Sequence, residues 1–370
     1  MAGRGPAVAG RRLARARGVR RRPYQRPGRA VPLGPRDRQG RRRPAGHPVR
    51  RRALRRDRDP RLPVRGRDPH QHHGVLPLHP TLTRWLGAIL PFGLPTVGVL
   101  LTWVMALVAA WGLFAIGNHL HDRRTGVLLA TVWGLLPHAI VESMGYTEAM
   151  FTAFAAWTLL ATLRRQWVAA ALLSVLAGLT RPSASALFPV VVLAAFVAIV
   201  RRQDRSWRAW FALLVAPLGW LGYLGWVANR TGRLDGWFHL QHEGWGSSWD
   251  AGRYTASMTA SVLAEAKVPD YLLVALVMLV SLALFAISVI DRQPWQLLMF
   301  SALMIAVSLG GSGFYNAKAR FLLPAFALLL PVAGALARTK PAKMYVIVGT
   351  LAAVSAYCGG YLLLIWKFSP

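Results

Sequence analysis

Four basic side chains stand at the ends of apolar stretches, where they could together bind a phosphate: Arg181 in GLTRPSASAL, Lys267 in AEAKVPDYLL, and Lys318 and Arg320 in FYNAKARFLLPAF. Arginine offers a planar fork of donors that matches phosphate oxygens, but an arginine near a membrane can equally snorkel its charge to the interface. Two carboxylates, Glu142 and Glu148, flank the turn Ser143-Met144-Gly145-Tyr146-Thr147 in an otherwise apolar region. A carboxylate at the centre of a membrane helix costs about 2.5–3.5 kcal/mol on insertion scales, so each belongs at a helix end or beside a polar cavity. The headgroup layer suits Glu142 as well as a cavity does; it suits Glu148 less.

The segment NRTGRLDGWFHLQHEGWGSSWDAGRY carries Trp237, Phe238, Trp245, Trp249 and Tyr254, interleaved with His239, Gln241, His242 and Glu243. Aromatic residues of this density form either an interfacial belt or a surface on which sugar rings stack, and both readings stand. The single cysteine, Cys358, excludes an intramolecular disulfide and a cysteine-based metal site. No Asp-x-Asp motif of the nucleotide-sugar metal type occurs in a loop expected to be cytoplasmic. No metal and no cofactor are implied, and His70, His72 and His73 are set aside because they fall in an anomalous N-terminal region.

These residues need helices to carry them. With 54% hydrophobic and 16% charged residues in 370, the chain has more apolar sequence than a soluble domain buries. The expected fold is an all-α polytopic membrane protein of about ten transmembrane helices, at 96–118, 126–142, 148–163, 167–180, 184–200, 209–228, 271–290, 294–309, 321–337 and 344–366. Residues 75–92 are amphipathic and proline-broken, which places them along the interface with Arg84 and Trp85 as anchors. Every second loop then collects Arg123, Arg124, Arg164, Arg165, Arg201, Arg202, Arg205, Arg208, Arg292, Arg338, Lys340 and Lys343 on one side. By the positive-inside rule that side is cytoplasmic, which puts the long loop 229–270 and the residues above outside, on an integral plasma-membrane protein.

In order, PHAIVESMGYTEAMF, GLTRPSASAL, Gln241-x-x-x-Trp245-Gly246, Lys267-Val-Pro269-x-Tyr271-Leu-Leu and Arg320-Phe321-x-x-Pro324 resemble the PIG-V-type mannosyltransferases and their actinobacterial relatives in the GT-C superfamily. The resemblance covers about residues 74–366. It implies transfer of mannose from a polyprenyl-phosphate-linked donor to a glycan or lipid acceptor on the outer face of the membrane. It further implies donor-phosphate binding by Arg181, Lys267 and Arg320, with Glu148, Gln241 and Trp245 lining the sugar or acceptor site. The family's general base is an Asp in a first-loop Trp-Asp motif, preceded by a transmembrane helix. Here Leu76-Pro77-Leu78-His79-Pro80 matches the segment that should follow, but neither helix nor Trp-Asp precedes it, so the expected base is absent and the catalytic residue unknown, with Glu148 as a candidate and an inactive chain as the alternative. A transporter or a non-catalytic lipid- or glycan-binding membrane protein is the competing class, although no internal repeat is visible.

Residues 1–74 hold 24 Arg, four Asp and no Lys, a large share of the net charge of +31. As protein, this domain would be a disordered, anion-binding arm. Its Arg, Pro, Gly, Ala and His content is also what GC-rich DNA gives when translated out of frame, and the absence of Lys favours that reading. No apolar core of signal-peptide length follows Arg11–Arg29, so insertion is expected to rest on the internal helices of the second domain, 75–370. The loop charges would place the arm outside the cytoplasm, which argues against a nucleic-acid partner.

Overall fold

A chain crossing lipid must satisfy every backbone N–H and C=O internally, and the apolar stretches do so as helices. The computed structural model describes residues 76–265 and 269–366; the basic arm and Lys267 lie outside the described residues. The helices are α1 (Leu78–Ile89), α2 (Leu94–Leu120), α3 (Arg123–Gly134), α4 (Glu148–Leu163), α5 (Trp167–Gly178), α6 (Phe188–Val200), α7 (Trp207–Val215) and α8 (Leu218–Thr231). They continue with α9 (Gly236–Trp245), α10 (Arg253–Glu265), α11 (Pro269–Ile290), α12 (Trp295–Gly310), α13 (Lys318–Phe321), α14 (Leu330–Arg338) and α15 (Pro341–Leu364). Among the described residues there is no strand, only an isolated bridge between Trp249 and Gly311.

All ten expected stretches are helical, but they do not make ten full-length spans. Five helical runs are long and apolar enough to cross a membrane: Leu94–Leu120, Pro182–Val200, Trp207–Thr231, Pro269–Ile290 and Pro341–Leu364. A sixth exists if Tyr315–Phe321 and Phe326–Ala337, bent by 72° at their break, are taken together. The remaining four, α3 and α5 of 12 residues and α4 and α12 of 16, are too short. At 1.5 Å per residue they reach about 18–24 Å against a hydrocarbon core of about 30 Å. Proline sets several of these limits, since it removes a donor and clashes with the preceding turn. Pro137 follows α3, Pro182 follows α5 and Pro324 sits in the 72° break.

The long segment 229–270, expected as a loop, contains the helices α9 and α10. The amphipathic stretch forms α1 as expected, with no buried residue and Trp85 exposed. At the centre lies α4, buried on nearly every side, as a helix that is apolar all round must be. Its Phe151, Ala155 and Leu159 pack with Leu113 of α2, Leu187 and Phe300 of α12 in the main core.

Two close crossings depend on glycine. A Cβ on Gly117 of α2 would stand 2.6 Å from the Cα of Gly126 in α3, and one on Gly178 of α5 would stand 2.5 Å from the backbone nitrogen of Trp220 in α8. Three helix ends use arginine where glycine is usual. After α4, α6 and α11, Arg165, Arg202 and Arg292 take positive φ of 56°, 55° and 51°. In each case the next residue, Gln166, Gln203 or Gln293, donates its N–H back to Ala161, Ala198 or Ser288 at 2.8, 2.8 and 3.2 Å, closing the helix in the Schellman manner. The left-handed conformation costs a side-chain-bearing residue about 1–2 kcal/mol. Two outcomes follow for thermal unfolding in detergent: Gly178→Val destabilises by about 1–3 kcal/mol through overpacking, whereas Arg202→Gly is stabilising or neutral because it relieves the turn.

Candidate functional site

Glu148 opens α4 directly after the turn that sequence singled out, and its side chain is wholly buried. The chain can place a carboxylate there only because two cations reach it. Arg181 sits in extended backbone just before the 3-10 turn Pro182–Ala186; its Nη1 lies 2.6 Å from Glu148 Oε1 and donates to Thr147 Oγ1 at 3.1 Å. Arg320, on α13, brings Nε to 3.1 Å from the same Oε1. Aromatic faces complete the shell: Arg320 lies 4.8 Å from the Tyr146 ring centroid, and Phe321 lies 5.3 Å from Arg320 and 5.8 Å from Arg181. Desolvated guanidinium groups gain from such contacts. One carboxylate against two guanidinium groups leaves the triad with an excess of one positive charge.

Three more titratable groups surround it. Glu142, in the 3-10 turn Ala139–Ser143, is 5% exposed with neither oxygen hydrogen-bonded. His138 has both ring nitrogens buried and unbonded. Burial lowers the pKa of His79 on α1, which Glu148 partly counters. Nothing in the spacing of the two histidines announces that α1 brings His79 to Glu148 and that the turn after α3 brings His138 to Arg320.

Beside the triad opens a cavity of about 550 Å³, with Arg181, Trp220, Trp237, Phe238, Gln241 and Trp249 in its wall. Trp220 and Trp237 meet edge to face at 4.9 Å. The Trp249 segment is fastened to the end of α12: Asp250 N–H donates to Gly310 O at 3.1 Å, Ser312 N–H to Ser248 O at 2.7 Å, and Thr255 Oγ1 to Leu309 O at 2.7 Å. The Trp249 ring occupies the space that a side chain on Gly310 would need.

The expected site residues are therefore divided. Arg181 and Gln241 share the cavity wall, while Glu148 and Arg320 form the buried layer behind Arg181. Trp245, at the end of α9, is 40% exposed and lies off the cavity wall, because α9 turns its Trp237, Phe238 and Gln241 face inward instead. Lys267 lies outside the described residues. Lys318 is not a free anion ligand: it is 2% exposed and donates to the carbonyls of Ser308 at 3.1 Å and Gly311 at 2.6 Å, closing the end of α12. Trp220 went unrecognised, since a tryptophan in an apolar stretch carries no mark of facing a cavity rather than lipid. Among the described residues no group of three or more His, Cys, Asp or Glu is placed to hold a metal ion.

Glu148→Gln strands two buried guanidinium groups and is expected to lower stability by about 3–5 kcal/mol at neutral pH, read from thermal melts of the protein in detergent. No protein-family model matches the chain, and no curated protein matches it in sequence.

Proposed function

We propose that this chain is a membrane glycosyltransferase that moves a sugar, mannose by resemblance, from a polyprenyl-phosphate donor to a glycan or lipid acceptor on the outer face of the plasma membrane. In this reading the bundle is GT-C-like, and the four short helices complete partial crossings to make about ten. The observation that supports it most is the double position of Arg181, which pairs with Glu148 and also stands in the wall of an aromatic-rich cavity. Phosphate chemistry needs the first property and sugar stacking the second.

The reaction assigns each group a task. An acceptor hydroxyl attacks the anomeric carbon, the bond from that carbon to the phosphate oxygen breaks, and the lipid phosphate leaves with the electron pair. Arg181 turns to the leaving phosphate, with Arg320 adding positive charge behind it. The hydroxyl proton needs a base, and Glu148, half released when Arg181 turns away, is a carboxylate paired with that residue of the cavity wall. Trp237, Trp249 and Gln241 would stack against and hydrogen-bond the sugar. Neither metal nor cofactor enters these steps.

A second reading has its own support: no Asp or Glu is in the cavity wall itself. A transporter or a lipid- or glycan-binding protein needs the cavity and Arg181 but no base. Labelled mannose supplied on a polyprenyl phosphate to membranes carrying the protein separates the two. Transfer that falls about 10²-fold in Arg181→Ala, and also falls in Trp237→Ala, supports the enzyme. Quenching of tryptophan fluorescence by the polyprenyl phosphate without any transfer supports the binding protein, and absence of both rejects both.

A further inference from the structure

The opposite end of the bundle carries a second cavity that the proposed reaction does not use. The turns at 121–124 and 338–345 meet there, where Arg124 Nη2 donates to Thr339 O at 3.0 Å and approaches Met344 Sδ at 3.6 Å. From this contact α15 runs along α3 without closing on it. Its buried residues are confined to Cys358, Gly359 and Leu362, at its far half, where Ser355 Oγ donates to Leu136 O at 3.0 Å and Gly359 abuts Ile140. The helix is thus fastened near both ends and stands off in between.

The gap is a groove of about 570 Å³. One wall is the stripe Val127, Leu128 and Thr131 of α3; the other is Met344, Tyr345 and Val348 of α15. The wall is apolar along its length and ends in the adjacent guanidinium groups of Arg123 and Arg124. No acidic side chain lines it, and the nearest one in sequence, Asp122, turns its carboxylate to the N–H of Thr125 as the cap of α3. Arg123 makes no ion pair with any described residue. An apolar trough that ends in two guanidinium groups at the basic face of a membrane bundle has the polarity of one molecule type, a lipid with an anionic headgroup.

We infer that the groove between α3 and α15 is a binding site for an anionic phospholipid, which packs its acyl chain between the two helices and its phosphate against Arg123 and Arg124. The lipid supplies the contact that α15 lacks over its first half. This site is independent of the glycosyltransferase reading and survives its failure.

The test uses the full chain purified in mild detergent, with thermal unfolding followed after addition of phosphatidylglycerol or phosphatidylcholine. Phosphatidylglycerol is expected to raise the unfolding midpoint more than phosphatidylcholine, and native mass spectrometry to retain one phosphatidylglycerol per chain. Arg123→Gln and, separately, Val127→Trp should remove most of the difference between the lipids. Arg205→Gln, on the loop before α7, with Arg208→Gln, in the first turn of α7, both away from the groove, should keep it. Equal effects of the two lipids, retention of the difference in both groove variants, or its equal loss in the Arg205 and Arg208 control would each overturn the proposal; the last would assign the effect to general surface charge.

Discussion

One oxygen atom, Oε1 of Glu148, holds one end of this bundle together. Two guanidinium groups meet on it, from Arg181 before α6 and Arg320 on α13, so segments far apart in sequence share a single acceptor. Burying an ion pair brings little net stability against an apolar alternative, because desolvation offsets the attraction. Its worth here is positional. Three broken pieces of backbone, the turn before α4, the turn after α5 and the 72° bend before α14, are each poor at fixing their own geometry, and a shared charge contact fixes all three.

The same constraint accounts for the short helices. A continuous helix through Pro137, Pro182 or Pro324 would carry the polar ends past one another. Breaking there leaves Glu148 and the arginines at helix ends, beside a cavity lined by residues of α9 and by Trp249. The aromatic cavity is therefore a by-product of helices that stop early, walled on one side by the residue that made stopping tolerable.

Much of this was legible in sequence. Apolar runs marked the ten long helical stretches, since lipid admits little other backbone structure, though not α9 and α10 in the segment read as a loop, and Glu148, Arg181 and Arg320 stood out because charge is expensive in such sequence. What periodicity could not supply was length in the third dimension: stretches of similar hydropathy became full spans or half spans according to where proline and glycine let them pack. Nor could it separate Lys318 from Arg320. Both read as basic residues at a helix end, yet the two-residue offset sends one to carbonyls of α12 and the other to a carboxylate. The position of Trp245 off the cavity wall was not legible for a related reason, because the face that α9 presents inward depends on the Trp220 contact and on the fastening of Trp249, neither of which is local.

The three arginine turns after α4, α6 and α11 have a consequence beyond helix termination. Glycine would stop each helix with less strain, but it would leave the end free to sink into or rise from the hydrocarbon. Arginine at the same position joins the stop to a charge that resists entering lipid. Backbone strain is thus exchanged for vertical register, and a helix that ends this way cannot slide along the membrane normal without dragging a guanidinium into lipid.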